Sequence, residues 1–305
     1  MKFSCAHILF LAVACAACAH PFWASDDAPA LSGEKAMEHV RAQVAFGPRI
    51  PGSEALEKCR EYLIQQLRSY GYQVESDAFE AETPLGKKKM VNLIARRGQA
   101  TGRGAIAFGS HYDTKYMEGV NFVGANDAGA STGLLLELAR VLAGKKGPLD
   151  YWFLFLDGEE AWIDWSTFDS TYGSRHLAKR WKQEGVASRI RAFILLDMIG
   201  DKDLDLYRDT NSTPWLMDLM WETAQKNGLG SILGKFQGGI EDDHLPFRDA
   251  GIPVLDVIDL NYGPGNSYHH TADDSLDKVS PESMEKVGKL VLAMLPDLDE
   301  RLAGK

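Results

Sequence analysis

With 305 residues, 45% of them apolar and 25% charged, the chain can bury one large core or two modest ones, and its composition is not that of a disordered protein. Its net charge of −10 is spread over many short acidic stretches with no basic stripe to track phosphates, which argues against nucleic acid as a partner. Of four cysteines only Cys59 lies beyond the first 18 residues, so the folded part has no internal disulfide framework and no cysteine-held metal.

In chain order, Lys2 precedes an apolar run from Ile8 to Ala14 that is too short to span a bilayer, so residues 1–19 read as a signal peptide. Ala17-Cys18-Ala19 before His20 fits a cleavage site, whereas the stretch from Leu11 to Cys15 resembles a lipoprotein box that would leave Cys15 lipidated. The expectation is an exported protein, periplasmic, extracellular or lipid-anchored, with membrane attachment only through such an anchor. Residues 20–33 read as a loosely ordered leader, and residues 34–305 as a single catalytic α/β domain. A monomer is the default expectation.

Ser32 is a plausible cap for a helix from Glu34 to Ala45, and Ser53 for a second one through Tyr70, stopped by Gly71. Strands are predicted over Gln73–Ala78 and Lys89–Ala95 around a turn at Thr83–Gly86, then over Gly104–Gly109 after a loop at Gly98–Arg103. A helix over Asp127–Leu142 carries an apolar face at Leu134, Leu135, Leu138, Val141 and Leu142. The run Tyr151–Leu156 reads as a buried strand that breaks at Asp157-Gly158 into two adjacent carboxylates, Glu159 and Glu160.

Beyond it the pattern gives a helix over Gly173–Gln183, a strand over Ile190–Met198 and a short strand over Leu204–Tyr207. Helices over Pro214–Asn227 and His244–Ala250, a last strand at Val254–Ile258 and a terminal helix from Pro281 to about Leu302 complete the chain. Strands alternating with helices predict an α/β fold, a three-layer sandwich with a mixed, largely parallel central sheet.

In such a sheet the loops beyond the carboxyl ends of the strands form the binding crevice. His111 and Asp113, Asp127, Glu159 and Glu160, Asp197, then Asp242, Asp243 and His244, and finally His269 and His270, all fall in such loops. Taken singly, an acid after a strand is more often a turn residue or a helix cap than a ligand. Five loops at one predicted sheet edge, each with a histidine or carboxylate among small residues, together predict a zinc site.

His111-Tyr112-Asp113, Gly124-Ala125-Asn126-Asp127, Gly158-Glu159-Glu160, Leu196-Asp197 and His270-Thr271 resemble the ligand motifs of the secreted zinc aminopeptidases. That likeness implies a zinc-dependent exopeptidase fold over residues 34–302. A narrower one is carried by Asp157-Gly158-Glu159-Glu160-Ala161, Trp165-Ser166, Asp169-Ser170 and the run from Tyr172 to Ala178. With Phe122 to Ala125, Leu195 to Gly200, Asp242 to Phe247 and His270 to Asp274, it is similar to the glutaminyl-peptide cyclotransferases, or glutaminyl cyclases.

The resemblance implies one catalytic zinc held by Asp127, Glu160 and His270, with the fourth position open. It implies Glu159 as general acid and base, Asp197 and Asp242 as the carboxylate pair assisting it, and Trp165 as an indole lining the substrate pocket. The implied reaction is cyclisation of an N-terminal glutamine on peptide or protein substrates to pyroglutamate, with release of ammonia. Three features depart from the animal enzymes: His269 replaces a tryptophan and is placed to compete as a ligand, the loop Asp259–Ser267 does not align clearly, and no cysteine is present for the disulfide near the site.

The rival reading is a di-zinc aminopeptidase, in which His111 and Asp197 complete a second metal, Asp127 bridges and Glu159 activates a metal-bound water. Counting ligands does not separate the two; the Trp165 loop and the Asp242-Asp243-His244 segment favour cyclisation. A non-catalytic binding protein would have lost a ligand or the proton carrier, and all four residues are present. A serine hydrolase is excluded by the lack of a Gly-x-Ser-x-Gly elbow after any predicted strand.

Trp152, Trp162, Trp181, Trp215 and Trp221 read as core or helix-face packing, with Trp162 near the pocket rim. Lys87-Lys88-Lys89 reads as a solvated hairpin, and His39 and His176 as surface or packing residues rather than ligands.

Overall fold

The computed structural model describes residues 29–97 and 102–304. The predicted signal segment, most of the leader and most of the Gly98–Arg103 loop lie outside them. The end of the leader is tied down: Leu31 packs on the core, Ser32 N–H donates to Glu137 Oε1 at 2.8 Å, and Arg140 donates to the Ala30 carbonyl at 2.7 Å.

Serine caps open the first two helices, α1 (Gly33–Ala45) and α2 (Glu54–Ser69), where Ser32 and Ser53 accept the backbone N–H groups of Lys35 and Leu56. The hairpin that follows, β1 (Gln73–Thr83) and β2 (Gly86–Arg96), is longer than predicted. Its outer half pairs Glu80 with Lys89 and Glu82 with Lys87. One face of this outer ribbon carries the charge pairs, and the other packs Phe79, Ala81 and Met90 against Trp162 and Tyr172.

The centre of the sheet is β3 (Ala105–His111), flanked by β4 (Asp150–Leu156) and β5 (Ile190–Asp197), with β8 (Val254–Ile258) at one edge, all mutually parallel. The order is β1-β2-β4-β3-β5-β8, with the hairpin antiparallel at the other edge. Alternate residues of these strands enter two separate cores. Phe108, Phe153, Ile194 and Leu255 face α1, α2, α3 (Ser131–Leu142), α5 (Pro214–Lys226) and α7 (Pro281–Leu302). Ala107, Leu154, Phe193 and Val254 face α4 (Tyr172–Glu184) and α6 (His244–Asp249). This is the predicted three-layer sandwich, and strands buried on both faces read as continuous apolar runs for that reason.

The chain leaves β3 through α3 to β4 on one side, then crosses through α4 to β5 on the other. The crevice of a parallel sheet lies at such a reversal, beyond the carboxyl ends of the strands. His111 ends β3, Asp157–Glu160 follow β4 and Asp197 ends β5.

Two expectations are corrected. The helix predicted from Asp127 starts as α3 at Ser131; residues 125–130 form a wider turn in which Asp127 and Ala128 have non-helical backbone angles. Asp127 is pulled out of the helix because Asp274 accepts the N–H groups of both Asn126 and Asp127. The short strand predicted at Leu204–Tyr207 lies at Leu206–Asp209, β6, paired in parallel with a strand the sequence pattern missed, β7 (Leu233–Gly238). The glycines and exposed positions of β7 hide it.

Among the described residues no helix is long and apolar enough to cross a membrane, and Cys59 is a buried free thiol on α2. His39 is buried between Tyr62 and Tyr70, and His176 stacks on Phe79 with ring centroids 4.3 Å apart, as packing residues do. Trp152 and Trp181 lie in the core and Trp215 and Trp221 pack against it, while Lys88 lies over the Trp162 ring.

Candidate metal centre and active site

The strand ends bring the predicted residues to one point. His111 Nε2 lies 3.1 Å from Asp127 Oδ1 and 3.3 Å from Asp197 Oδ1. His270 Nε2 lies 3.2 Å from Asp127 Oδ2 and 3.1 Å from Glu160 Oε1. Asp127 therefore stands between two donor sets, one oxygen turned to each. His269 belongs to the same neighbourhood, since donor atoms of Asp127, His269 and His270 lie within 4.8 Å of one another.

Burial alone would lower the pKa of His111, yet the carboxylates of Glu159, Asp113, Asp127 and Asp197 hold it well above the ordinary value. His270 is raised to about 10, burial being outweighed by Glu160 and Asp127. Surplus negative charge converging on two imidazoles is the pattern a divalent cation satisfies. Both ring nitrogens of His111 and Oδ1 of Asp197 lack a hydrogen bond despite burial. An imidazole and carboxylate donor set without thiolate suits zinc, so the residues fit the metal the motifs imply.

The turn carrying the carboxylate pair is built from backbone bonds. Asp113 accepts the N–H groups of Glu159 at 3.2 Å and Glu160 at 3.5 Å, and Gly158, at φ 71°, makes the turn possible. Glu160 faces His270 and Lys115, whose Nζ is 3.5 Å from its Oε2. Glu159 instead approaches His111, its Oε2 4.0 Å from Nδ1. Burial pushes its pKa well above the carboxylate range, with Glu160, Asp242 and Asp243 adding repulsion against the pull of His111. A carboxyl whose pKa is raised in this way holds a proton more readily and can give and take it.

Asp197 and Asp242 are both raised by burial, and Asp242 further by Asp197 and Asp243, as expected of carboxylates that share charge. Asp243 is raised to about 7 by burial, although Ser174 donates to it at 2.5 Å. Behind them His244 stands with Nε2 3.3 Å from Asp209 and Nδ1 3.6 Å from Asp256. Neither ring nitrogen of His244 makes a hydrogen bond, and donor atoms of Asp209, His244 and Asp256 lie within 4.8 Å of one another, so this buried trio is a second cluster of the kind that could hold a cation.

The loop after Glu160 is folded around Asp169, which accepts the N–H groups of Trp162, Ile163 and Asp164. At its tip Trp165 is 40% and Phe168 82% exposed. Trp165 and Asp242 line the same surface groove. Three non-glycine residues around the site, Thr171, Met198 and His270, have φ near 50°, which costs energy and clusters at functional sites.

Sequence reasoning passed over several residues here. Asp113 was placed at the sheet edge without its role in the Glu159–Glu160 turn. Asp274 and the fully buried Arg49, whose guanidinium donates to the carbonyls of Tyr112, Val123 and Gly124, were not singled out. The only signal was an arginine in a Gly-Pro turn, Phe46-Gly47-Pro48-Arg49, and an acid four residues after His270.

Comparison with known proteins places the chain in a family. The model of peptidase family M28 matches residues 92–295. The chain is 34% identical over 270 residues to a glutaminyl-peptide cyclotransferase of Drosophila melanogaster, covering 80% of this chain and 75% of that one. A glutaminyl cyclase from an Acidobacteriales bacterium superposes with a TM-score of 0.85 at 41% identity, covering 91% of this chain and 98% of the other. A Zn-dependent exopeptidase from Parabacteroides distasonis superposes with a TM-score of 0.78 at 25% identity, covering 87% and 98% respectively.

Proposed function

The chain belongs to peptidase family M28 and, within it, to the glutaminyl-peptide cyclotransferases, and from that premise we propose that it converts the N-terminal glutamine of peptides and proteins to pyroglutamate with release of ammonia. What carries this reading is the 157–178 loop. It sets Glu159 apart from the ligand-facing Glu160 as a buried proton carrier and presents Trp165 in the groove that Asp242 shares.

A single zinc would be held by Asp127, Glu160 and His270, and when bound it supplies Lewis-acid polarisation of the glutamine γ-carbonyl. The α-amine and the γ-amide belong to one residue, so ring closure is intramolecular and the protein's task is to hold a folded-back conformer. Trp165 offers a flat apolar wall for it. The α-nitrogen bonds to the γ-carbonyl carbon, and Glu159 takes the proton that nitrogen loses. The bond from that carbon to the amide nitrogen then breaks as Glu159 returns the proton, and ammonia leaves. Asp197 and Asp242, sharing a proton, stabilise the charge on Glu159 as it changes.

One observation favours a second reading. Asp127 turns one oxygen to His111 and Asp197 and the other to His270 and Glu160, as a carboxylate bridging two metals in an aminopeptidase would. Incubating zinc-loaded protein with a peptide beginning in Gln and one beginning in Leu, with and without chelator, separates the two by mass spectrometry. Chelator-sensitive loss of ammonia from the Gln peptide alone supports cyclisation; release of free Leu overturns it. The signal segment, Lys2 to Ala19, supports export, and a monomer remains the expectation.

A further inference from the structure

The groove containing Trp165 and Asp242 runs between α4 and α6, with a volume of about 560 Å³. Its walls carry four cations, Arg175, Lys179, Lys182 and Arg248. Against them stand two exposed carboxylates, Glu241 and Asp249, the latter 3.4 Å from Arg248, and the buried Asp242, so the cations outnumber the acids on the walls. The chain as a whole carries a net charge of −10, whereas this groove carries a cationic surplus.

Arg175 is the most informative of the four. It is half-buried, and its Nε and Nη2 both donate to one acceptor, the Ser170 carbonyl, at 3.0 and 2.7 Å. No carboxylate among the described residues lies within ion-pair distance of it, and its Nη1 makes no hydrogen bond among them. Its guanidinium lies over the Tyr172 ring at 4.8 Å, and with no anion of its own beside that ring it can take one from outside. Lys179 and Lys182, exposed one turn apart on the same helix face, likewise have no ion pair among the described residues. Lys182 reaches only the Asp249 carbonyl, at 3.3 Å.

We propose that this groove is a subsite for the residues that follow the N-terminal glutamine of the substrate, and that it selects acidic side chains there. The inference rests on the cyclotransferase reading and deepens it. With the glutamine held between Trp165 and the metal ligands, the rest of the peptide must leave the site, and the α4–α6 groove adjoins Trp165. An extended chain advances about 3.3 Å per residue and turns alternate side chains to the same face, so side chains two residues apart would meet the wall that carries Arg175 and the lysines.

The test uses zinc-loaded full chain and three peptides that begin with Gln and continue with Glu-Asp, Ala-Ala or Lys-Lys. At low ionic strength kcat/KM should favour the acidic over the basic peptide by about tenfold, and salt should shrink the ratio. K179E/K182E, on exposed positions, should bring the ratio to unity or invert it. R175Q should reduce it, while the distant K226E on α5 should leave it intact. Equal kcat/KM for the three peptides, or the same preference in K179E/K182E, overturns the subsite while leaving cyclisation standing. Failure to cyclise any of them overturns the cyclotransferase reading and the subsite together.

Discussion

Asp274 holds Asp127 from behind: its Oδ2 accepts the Asp127 backbone N–H at 3.1 Å, and its Oδ1 accepts that of Asn126 at 2.8 Å. Tyr262 donates its hydroxyl to the same Oδ1 at 2.9 Å. One buried carboxylate thus ties the ligand-bearing turn before α3 to the loop that ends at His270. Asp274→Asn keeps the shape but turns an amide N–H toward one of these donors. Zinc affinity, measured by competition with a chromogenic chelator, is expected to fall about 10- to 100-fold, as for other groups that orient metal ligands. Unchanged affinity would mean that the turn holds Asp127 unaided.

Glu159→Gln removes the proton carrier without changing its size. Turnover of a Gln peptide should fall by about 10² to 10⁴, the usual contribution of a positioned acid and base. Bound zinc, counted by mass spectrometry under native conditions, should stay at the wild-type ratio, because Glu160 and not Glu159 faces His270. Retained turnover would remove the proton-transfer role.

Arg49 is fully buried and satisfies three carbonyls on two segments, those of Tyr112 after β3 and of Val123 and Gly124 before Asp127. Gly124 has φ 51°, and a side chain there would put its Cβ 2.0 Å from the Asp127 carbonyl oxygen, so the segment has little freedom to find other donors. Arg49→Met strands the carbonyls of Tyr112 and Val123, while that of Gly124 keeps the Gly129 N–H at 3.1 Å, at a cost of about 1–3 kcal/mol for each one stranded. Urea denaturation should show a loss on the order of 3 kcal/mol. A loss under about 1 kcal/mol would show that water or relaxation replaces the guanidinium.

How much of this could be read from the chain follows from what each residue does. His111, Glu159, Glu160 and Asp197 were legible because they end apolar runs that have to be strands buried on both faces. Asp113 and Asp274 were harder: a carboxylate that accepts backbone N–H groups looks, in sequence, the same as a turn residue or a ligand. Asp256 sits inside the apolar run Val254–Ile258, where its pairing with His244 arises only once β6, β8 and α6 meet. The outer hairpin was missed because its apolar face is short, Phe79, Ala81 and Met90 against Trp162 and Tyr172, with charge pairs on the other face. Asp127 was assigned to the helix because composition alone carries no sign of the pull from Asp274, 147 residues away.

His39 gives a pH prediction remote from the site. Its Nδ1 lies 2.6 Å from the Tyr62 hydroxyl and its Nε2 3.3 Å from that of Tyr70, which in turn donates to Gln66. A neutral ring fits this chain of bonds: Tyr62 donates to Nδ1, and Nε2–H donates to Tyr70. Burial, with Arg140 adding repulsion, lowers its pKa from 6.5 to about 4. The folded state therefore binds the proton less readily than the unfolded chain does. The stabilisation is fully present above pH 6.5 and is lost as the pH falls through 4. The full shift corresponds to at most about 3 kcal/mol, at about 1.4 kcal/mol per unit. Denaturation midpoints measured from pH 7 to pH 4 should fall in the wild type, and the His39→Gln variant should show a flatter dependence over that window. Parallel curves for the two proteins would place the acid sensitivity elsewhere.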